Sequence, residues 1–182
     1  MTEIILWCIL SIPLVFISRR NLFHLKHHGL YRFFGWECIL WLIINNYKYW
    51  FENPLGSNQI ISWVFLIYSL YLVVPGVILI KKIGKPDPVR KDDTLYSFEK
   101  TTEMIETGVY KYIRHPLYGS LLFLSWGICL KNPTLDLVIV TIFSSICFCI
   151  TAKVEEAENI GYFGDKYTDY IKRSRMFVPY IF

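Results

Sequence analysis

Five apolar runs alternate with polar or basic stretches along the 182 residues, and each reads as a helix. They cover residues 4–17, 33–50, 60–80, 117–130 and 135–152. Pro13 interrupts the first, which a helix in lipid tolerates better than one in water. Glu37, Asn45, Asn46 and Lys48 weaken the second. The third is the cleanest and would reach about 31 Å, enough for a hydrocarbon core, with a kink predicted at Pro75-Gly76. The fourth is short for a full crossing, so it enters obliquely or its basic end lies deep in a protein-lined cavity.

The junctions carry helix signals. In Lys131-Asn132-Pro133-Thr134, Asn132 suits an N-cap and Pro133 a first helical position, so runs four and five form an antiparallel hairpin. Pro116 opens the fourth helix in the same way. Residues 155–175 mix charge with Tyr162, Phe163, Tyr167 and Tyr170, which predicts an amphipathic cytoplasmic helix broken at Gly161 or Gly164. Lys85 to Lys91, with Pro86, Asp87 and Pro88, is turn-rich.

The expected fold is therefore all-α and polytopic: about five transmembrane helices, a C-terminal helical hairpin and a cytoplasmic amphipathic tail helix. One membrane domain spans 1–182. It divides into helices over 1–83, a loop over 84–116, the hairpin over 117–152 and a tail over 153–182. The composition agrees: 54% hydrophobic, 18% aromatic and mean hydropathy +0.36 exceed an ordinary soluble domain. The formal charge of +4 lies in loops rather than along one face, which excludes nucleic acid as a partner.

Lys and Arg concentrate in alternate loops: Arg19, Arg20, Lys26 and Arg32; then Lys81, Lys82, Lys85, Arg90, Lys91, Lys100, Lys111 and Arg114; then the tail. The positive-inside rule puts these loops in the cytoplasm and the N-terminus outside. The first run lacks a basic stretch before it and reads as a retained helix. Cys8, Cys38, Cys129, Cys147 and Cys149 all lie in apolar runs, without a C-x-x-C pair, and read as small apolar side chains.

Candidate chemistry gathers at the two feet of the hairpin. Arg114 and His115, flanked by Tyr110 and Tyr118, precede it, and Glu155-Glu156 follow it. Ionisable groups at a membrane edge are costly and usually have a partner. The plain alternatives are an Arg that snorkels to lipid phosphates, a His that caps a helix, and a solvated acidic helix end. Glu155 shares a face with Thr151 and is the one expected to turn inward. His24, His27 and His28 form a weak cluster with no further metal ligand at suitable spacing, so no metal is expected. G-x-S-x-G, G-x-G-x-x-G and Walker sequences are absent.

Gly108-Val-Tyr, Arg114-His-Pro-x-Tyr118, Asn132-Pro133, Glu155-Glu156 and Phe163-Gly-x-x-Tyr167-x-x-Tyr170 occur in this order over about the last 80 residues. The combination resembles the isoprenylcysteine carboxyl methyltransferase and phospholipid methyltransferase group of membrane enzymes, in its small prokaryotic form. The resemblance implies S-adenosylmethionine as methyl donor, bound at the cytoplasmic end of the hairpin of a bacterial or archaeal inner-membrane enzyme. The implied contacts are Thr102, Glu103, Met104, Ile105, Tyr110, His115, Pro116, Leu117, Tyr118 and Glu155, with Arg114 and Glu156 adjoining. Arg114 or His115 would take the donor's carboxylate and Glu155 its ammonium or ribose hydroxyls. No catalytic residue is assigned.

The acceptor is expected to be lipophilic or membrane-partitioned: a prenylcysteine-like carboxylate, a phospholipid amine or a small thiol. Thr151 stands where the prenylcysteine enzymes are expected to carry an arginine for the substrate carboxylate, which counts against that substrate. An NADPH-dependent reductase of the sterol-reductase type is the alternative, suggested by a similar hairpin and the ending Phe177-Val-Pro-Tyr-Ile-Phe182. A non-enzymatic membrane scaffold is the third reading.

Overall fold

A computed structural model describes residues 1–22, 28–85 and 101–181. His24, His27 and the stretch with Pro86, Asp87, Pro88, Arg90, Lys91 and Lys100 lie outside the described residues. The described residues form six α-helices: α1 (Thr2–Leu22), α2 (His28–Asn46), α3 (Ser57–Ile83), α4 (Pro116–Cys129), α5 (Leu135–Phe163) and α6 (Asp165–Arg173). Short 3-10 turns lie at Tyr47–Tyr49 and Gly108–Lys111. No strand occurs among the described residues; one isolated parallel bridge joins Ile113 to Arg175.

The packing follows the chain closely. The α3 helix lies on α4, α2 on α5, and α1 on α2. Ile39, Leu42, Leu66, Ile128, Leu137 and Phe148 form the main core between α2, α3, α4 and α5. Gly35 lets α2 approach α5: a Cβ there would sit 2.5 Å from the Phe148 ring. At the far end, side chains satisfy the last carbonyls of α4. Asn46 donates to Ile128 O at 2.8 Å and Ser62 to Gly127 O at 2.6 Å. Gln59 donates to Lys131 O at 3.0 Å, and the buried Lys131 ammonium returns a bond to Gln59 and lies 3.6 Å from the Trp63 ring centroid. A helix end buried this deeply needs such partners.

Among the described residues, three helices are long and apolar enough to cross a membrane: α1 over Thr2–Arg19, α3 and α5. The α4 helix is apolar but shorter. Ile60, Val64, Ile67 and Leu70 on α3, and Ile139, Ile142 and Ile146 on α5, are exposed. Outward apolar rows of this extent suit lipid rather than water.

Pro116 does open α4, at its first turn. The N-cap of α5 is Thr134, not Asn132: the Asn132 carbonyl instead accepts from the Thr134 amide, and Thr134 is the extended residue before the helix. The boundary expected at 152 is also corrected. Nothing interrupts α5 at Glu155 or Gly161; it runs to Phe163 and breaks only at Gly164, whose φ of 63° suits glycine. Residues 153–163 thus belong to α5, and only the amphipathic α6 is separate.

At about 1.5 Å per residue, α5 spans roughly 43 Å and α4 roughly 21 Å. The long helix therefore stands clear of the short one by several turns. The candidate site occupies that step.

Replacing Gly35 by Val drives a side chain into Phe148 and should cost about 1–3 kcal/mol. Thermal unfolding of the detergent-solubilised protein checks this, and an unchanged midpoint would contradict the close α2–α5 approach.

Candidate functional site

The step is closed by a ribbon from the tail. The Arg114 amide donates to Arg175 O at 2.7 Å, the Arg175 amide to Tyr112 O at 2.9 Å, and the His115 amide to Met176 O at 3.2 Å. Met176 and Phe177 then pack with Tyr118 and Ala152. Tyr170 on α6 donates its hydroxyl to Tyr110 O at 2.5 Å. Backbone pairing and packing thus fix the segment from Tyr110 to Tyr118 before any side chain of the site is considered.

Arg114 joins the two feet of the hairpin. Its Nε donates to Glu156 Oε1 at 2.7 Å and its Nη1 to Ser174 O at 2.6 Å, with both charged side chains 7% exposed. Nη2 has no hydrogen-bond partner among the described residues. Arg114 is therefore not an anchor snorkelling into headgroups. His115 makes no capping bond; its ring stacks on Tyr118 at 5.7 Å. His115 Nε2 lies 3.5 Å from Glu156 Oε1, and Nδ1 lies 3.9 Å from Glu155 Oε1.

The adjacent acids have different environments. Glu156 is buried against Arg114, and its Oε2 accepts from Lys153 at 3.2 Å. Glu155 is 27% exposed and makes no hydrogen bond among the described residues. Glu155, the acid expected to turn inward, lines the cleft, while Glu156 lies deeper against Arg114. Thr151 is fully buried and donates its hydroxyl to Cys147 O at 2.8 Å, within its own helix.

Together these elements enclose a cleft with about 860 Å³ of empty space, its open mouth included. Of the expected contacts, Glu103, Met104, Ile105, Tyr110, Arg114, His115, Pro116, Leu117, Tyr118 and Glu155 line it. Two do not. Thr102 turns its hydroxyl to Lys85 O at 3.0 Å and caps the end of α3. Glu156 lies behind the wall, held by Arg114.

The sequence reading missed Ile80, Thr101, Glu158 and Asn159, and named Phe163, Tyr167 and Tyr170 only as motif residues; all seven also line the cleft. Had α5 been continued past 152, the spacing 155, 158, 159, 163 would have marked one helical face. Glu158 accepts from the buried His28 Nδ1 at 2.7 Å, so one member of the histidine cluster serves an acid rather than a metal. Burial pushes the Tyr167 phenol upward, with a further rise from the Glu155 charge and a partial offset from Asn159. Burial likewise raises Tyr170. Both stay protonated and act as donors or apolar walls, not bases.

The combination is a cleft lined by acids and aromatic rings, with one guanidinium nitrogen that has no hydrogen-bond partner among the described residues. The phospholipid methyltransferase profile matches residues 67–166, which include α4, all of α5 and much of the cleft. The chain belongs to the phospholipid methyltransferase family. Among curated proteins it is similar to the methanethiol S-methyltransferase of Pseudomonas deceptionensis, 27% identical over 141 residues, or 77% of this chain. The chain spans about half of that relative, 52% of its length. No solved structure gives a significant match. The family assignment makes this a member of a membrane methyltransferase group and lends no support to the reductase alternative.

Glu156 and Glu155 should respond differently to amide substitution. Glu156→Gln leaves a buried Arg114 charge uncompensated and should cost about 3 kcal/mol. Glu155→Gln should leave stability nearly unchanged. Thermal unfolding of both variants is the check, and equal losses would overturn the division.

Proposed function

We propose that the chain is an integral membrane methyltransferase that binds S-adenosylmethionine in the α4–α5 cleft and methylates a small or lipid-partitioned acceptor. The observation that carries this reading is the cleft's donor set. It combines the unpartnered Arg114 Nη2, the unbonded Glu155 carboxylate and the Tyr110–Tyr118 wall within a family of methyltransferases. In the proposed topology α1 to α5 all cross the membrane, the short α4 only in part, with the N-terminus outside and the cleft facing the cytoplasm.

The residues fit the donor's chemistry. Arg114 Nη2 takes its carboxylate, while Nε and Nη1 stay bound to the protein. Glu155 takes the ammonium or ribose hydroxyls. Ile80, Ile105 and the tyrosines enclose the adenine. When bound, the cofactor supplies a methyl group on a sulfonium sulfur. The acidic wall of Glu155 and Glu158 and the aromatic faces favour that cation. The protein's remaining task is alignment and exclusion of water, which suits a rigid cleft.

A small thiol is favoured as acceptor over a free carboxylate. Thr151 offers no cation to hold a carboxylate, its hydroxyl is committed to Cys147 O, and the cleft is acidic. The name of the Pseudomonas relative points the same way. A thiol must release its proton as the carbon–sulfur bond forms. That proton leaves to water at the open mouth of the cleft, so no side chain is assigned as the base.

Calorimetric titration with S-adenosylhomocysteine should show binding, weakened about tenfold or more by His115→Ala and by Glu155→Ala. No binding, or binding untouched by both changes, overturns the cofactor assignment. Membranes supplied with methyl-labelled donor and methanethiol should yield labelled volatile thioether. Label in phospholipid or protein instead would move the acceptor to an amine or a carboxylate.

A further inference from the structure

A second pocket lies outside the cleft and shares none of its lining residues. Tyr112, Lys172, Arg173, Arg175 and Tyr180 line it. Three cations therefore converge from the end of α6 and from the ribbon that follows. Two already have an acid: Lys172 bonds Asp169 at 2.8 Å, and Arg173 bonds Glu106. The exposed Arg175 side chain makes no bond among the described residues, although its backbone is held on both sides by Tyr112 and Arg114. Lys111 adds a further cation, 5.7 Å from the Tyr112 ring centroid. The pocket thus keeps positive charge beyond what Asp169 and Glu106 offset, and Arg175 presents it from a fixed backbone.

The rim has a different character. Tyr112 and Tyr180 face each other with ring centroids 6.0 Å apart. Tyr180 is 80% and Ile181 79% exposed. Tyr180 holds a left-handed φ of 67°, uncommon for a tyrosine, in a turn closed by the Ile181 amide on Val178 O. Just upstream, Met176, Phe177 and Val178 pack on Tyr118, Leu121 and Leu122. These belong to the first two turns of α4, where its apolar run begins. The segment therefore passes along the level where apolar helix gives way to charged surface. Exposed Tyr and Ile beside a cluster of Arg and Lys is the pattern expected at a lipid headgroup layer.

We propose that the pocket formed by Tyr112, Lys172, Arg173, Arg175 and Tyr180 binds the phosphate headgroup of an anionic phospholipid. The guanidinium of Arg175 and the Lys172 ammonium hold the phosphate oxygens. The tyrosine hydroxyls donate alongside them, and Ile181 and the ring faces lie against the acyl end. A free phosphate would use the cations but gain nothing from the apolar rim, so the rim selects the lipid. The assignment is independent of the methyltransfer reading, since it uses no residue of the cleft.

The test uses the purified full-length protein in a nonionic detergent and short-chain probes below their own micelle concentration. Dihexanoyl-phosphatidylglycerol is the anionic lipid, dihexanoyl-phosphatidylcholine the zwitterionic one, and inorganic phosphate the free anion. Phosphatidylglycerol should bind saturably and more tightly than either. Arg175→Gln should weaken it about tenfold, in line with one lost charge-assisted contact. Tyr180→Ser should weaken it less, and Lys82→Gln, a surface charge change on α3, should not weaken it. Far-UV circular dichroism and the thermal midpoint establish that each variant is folded. Equal binding of both lipids, binding untouched by Arg175→Gln, or full competition by inorganic phosphate would each overturn the assignment.

Discussion

The buried pair of Arg114 and Glu156 is the constraint on which the cleft-bearing end of the protein depends. Neither charge could stay at 7% exposure alone. The guanidinium therefore meets two separate pieces of chain at once, α5 through Glu156 and the tail through Ser174 O, while the Arg114 amide pairs its own loop with the tail at Arg175 O. One side chain fixes the relative positions of the loop, the long helix and the tail. The cleft is what remains between them.

That arrangement gives neighbouring residues different environments. Adjacent residues in each foot divide the work: Glu156 is structural and Glu155 faces the cleft, while Arg114 braces the ribbon and His115 stacks on Tyr118 toward the ligand space. A helix turns about 100° per residue, so a dipeptide of two acids can serve two environments without extra chain. The unequal lengths of α4 and α5 supply the wall on which both acids stand.

Much of this was legible in the sequence because helices in an apolar setting declare themselves. All five apolar runs became helices, and Pro116 marked the start of α4 because its missing N–H costs nothing there. The gathering of Arg114 and Glu156 could be anticipated from charge at both feet of a hairpin. The true end of α5 could not. Lys153, Glu155, Glu156 and Glu158 look like the end of an apolar span, yet charged residues continue a helix readily, and only Gly164 stops it. The deeper role of Glu156 was hidden for a related reason. Spacing says which residues share a face, not which face meets a cation carried 42 residues earlier. The partner of His28 was hidden as well, because Glu158 lies 130 residues away.

The ribbon between residues 112–115 and 174–177 also has a consequence for the order in which the molecule assembles. Arg114 reaches Ser174 across 60 residues, whereas α4 and α5 are joined by a tight turn. Local closure is entropically cheaper than distant closure, so the hairpin can form and pack while the ribbon is still apart. On that order the cleft would be completed last, when the tail docks and Arg114 meets Glu156 and Ser174 O. The apolar half of the protein and its chemical half thus mature on separate clocks. A lesion in the tail would leave a well-inserted, helical protein that has no cleft.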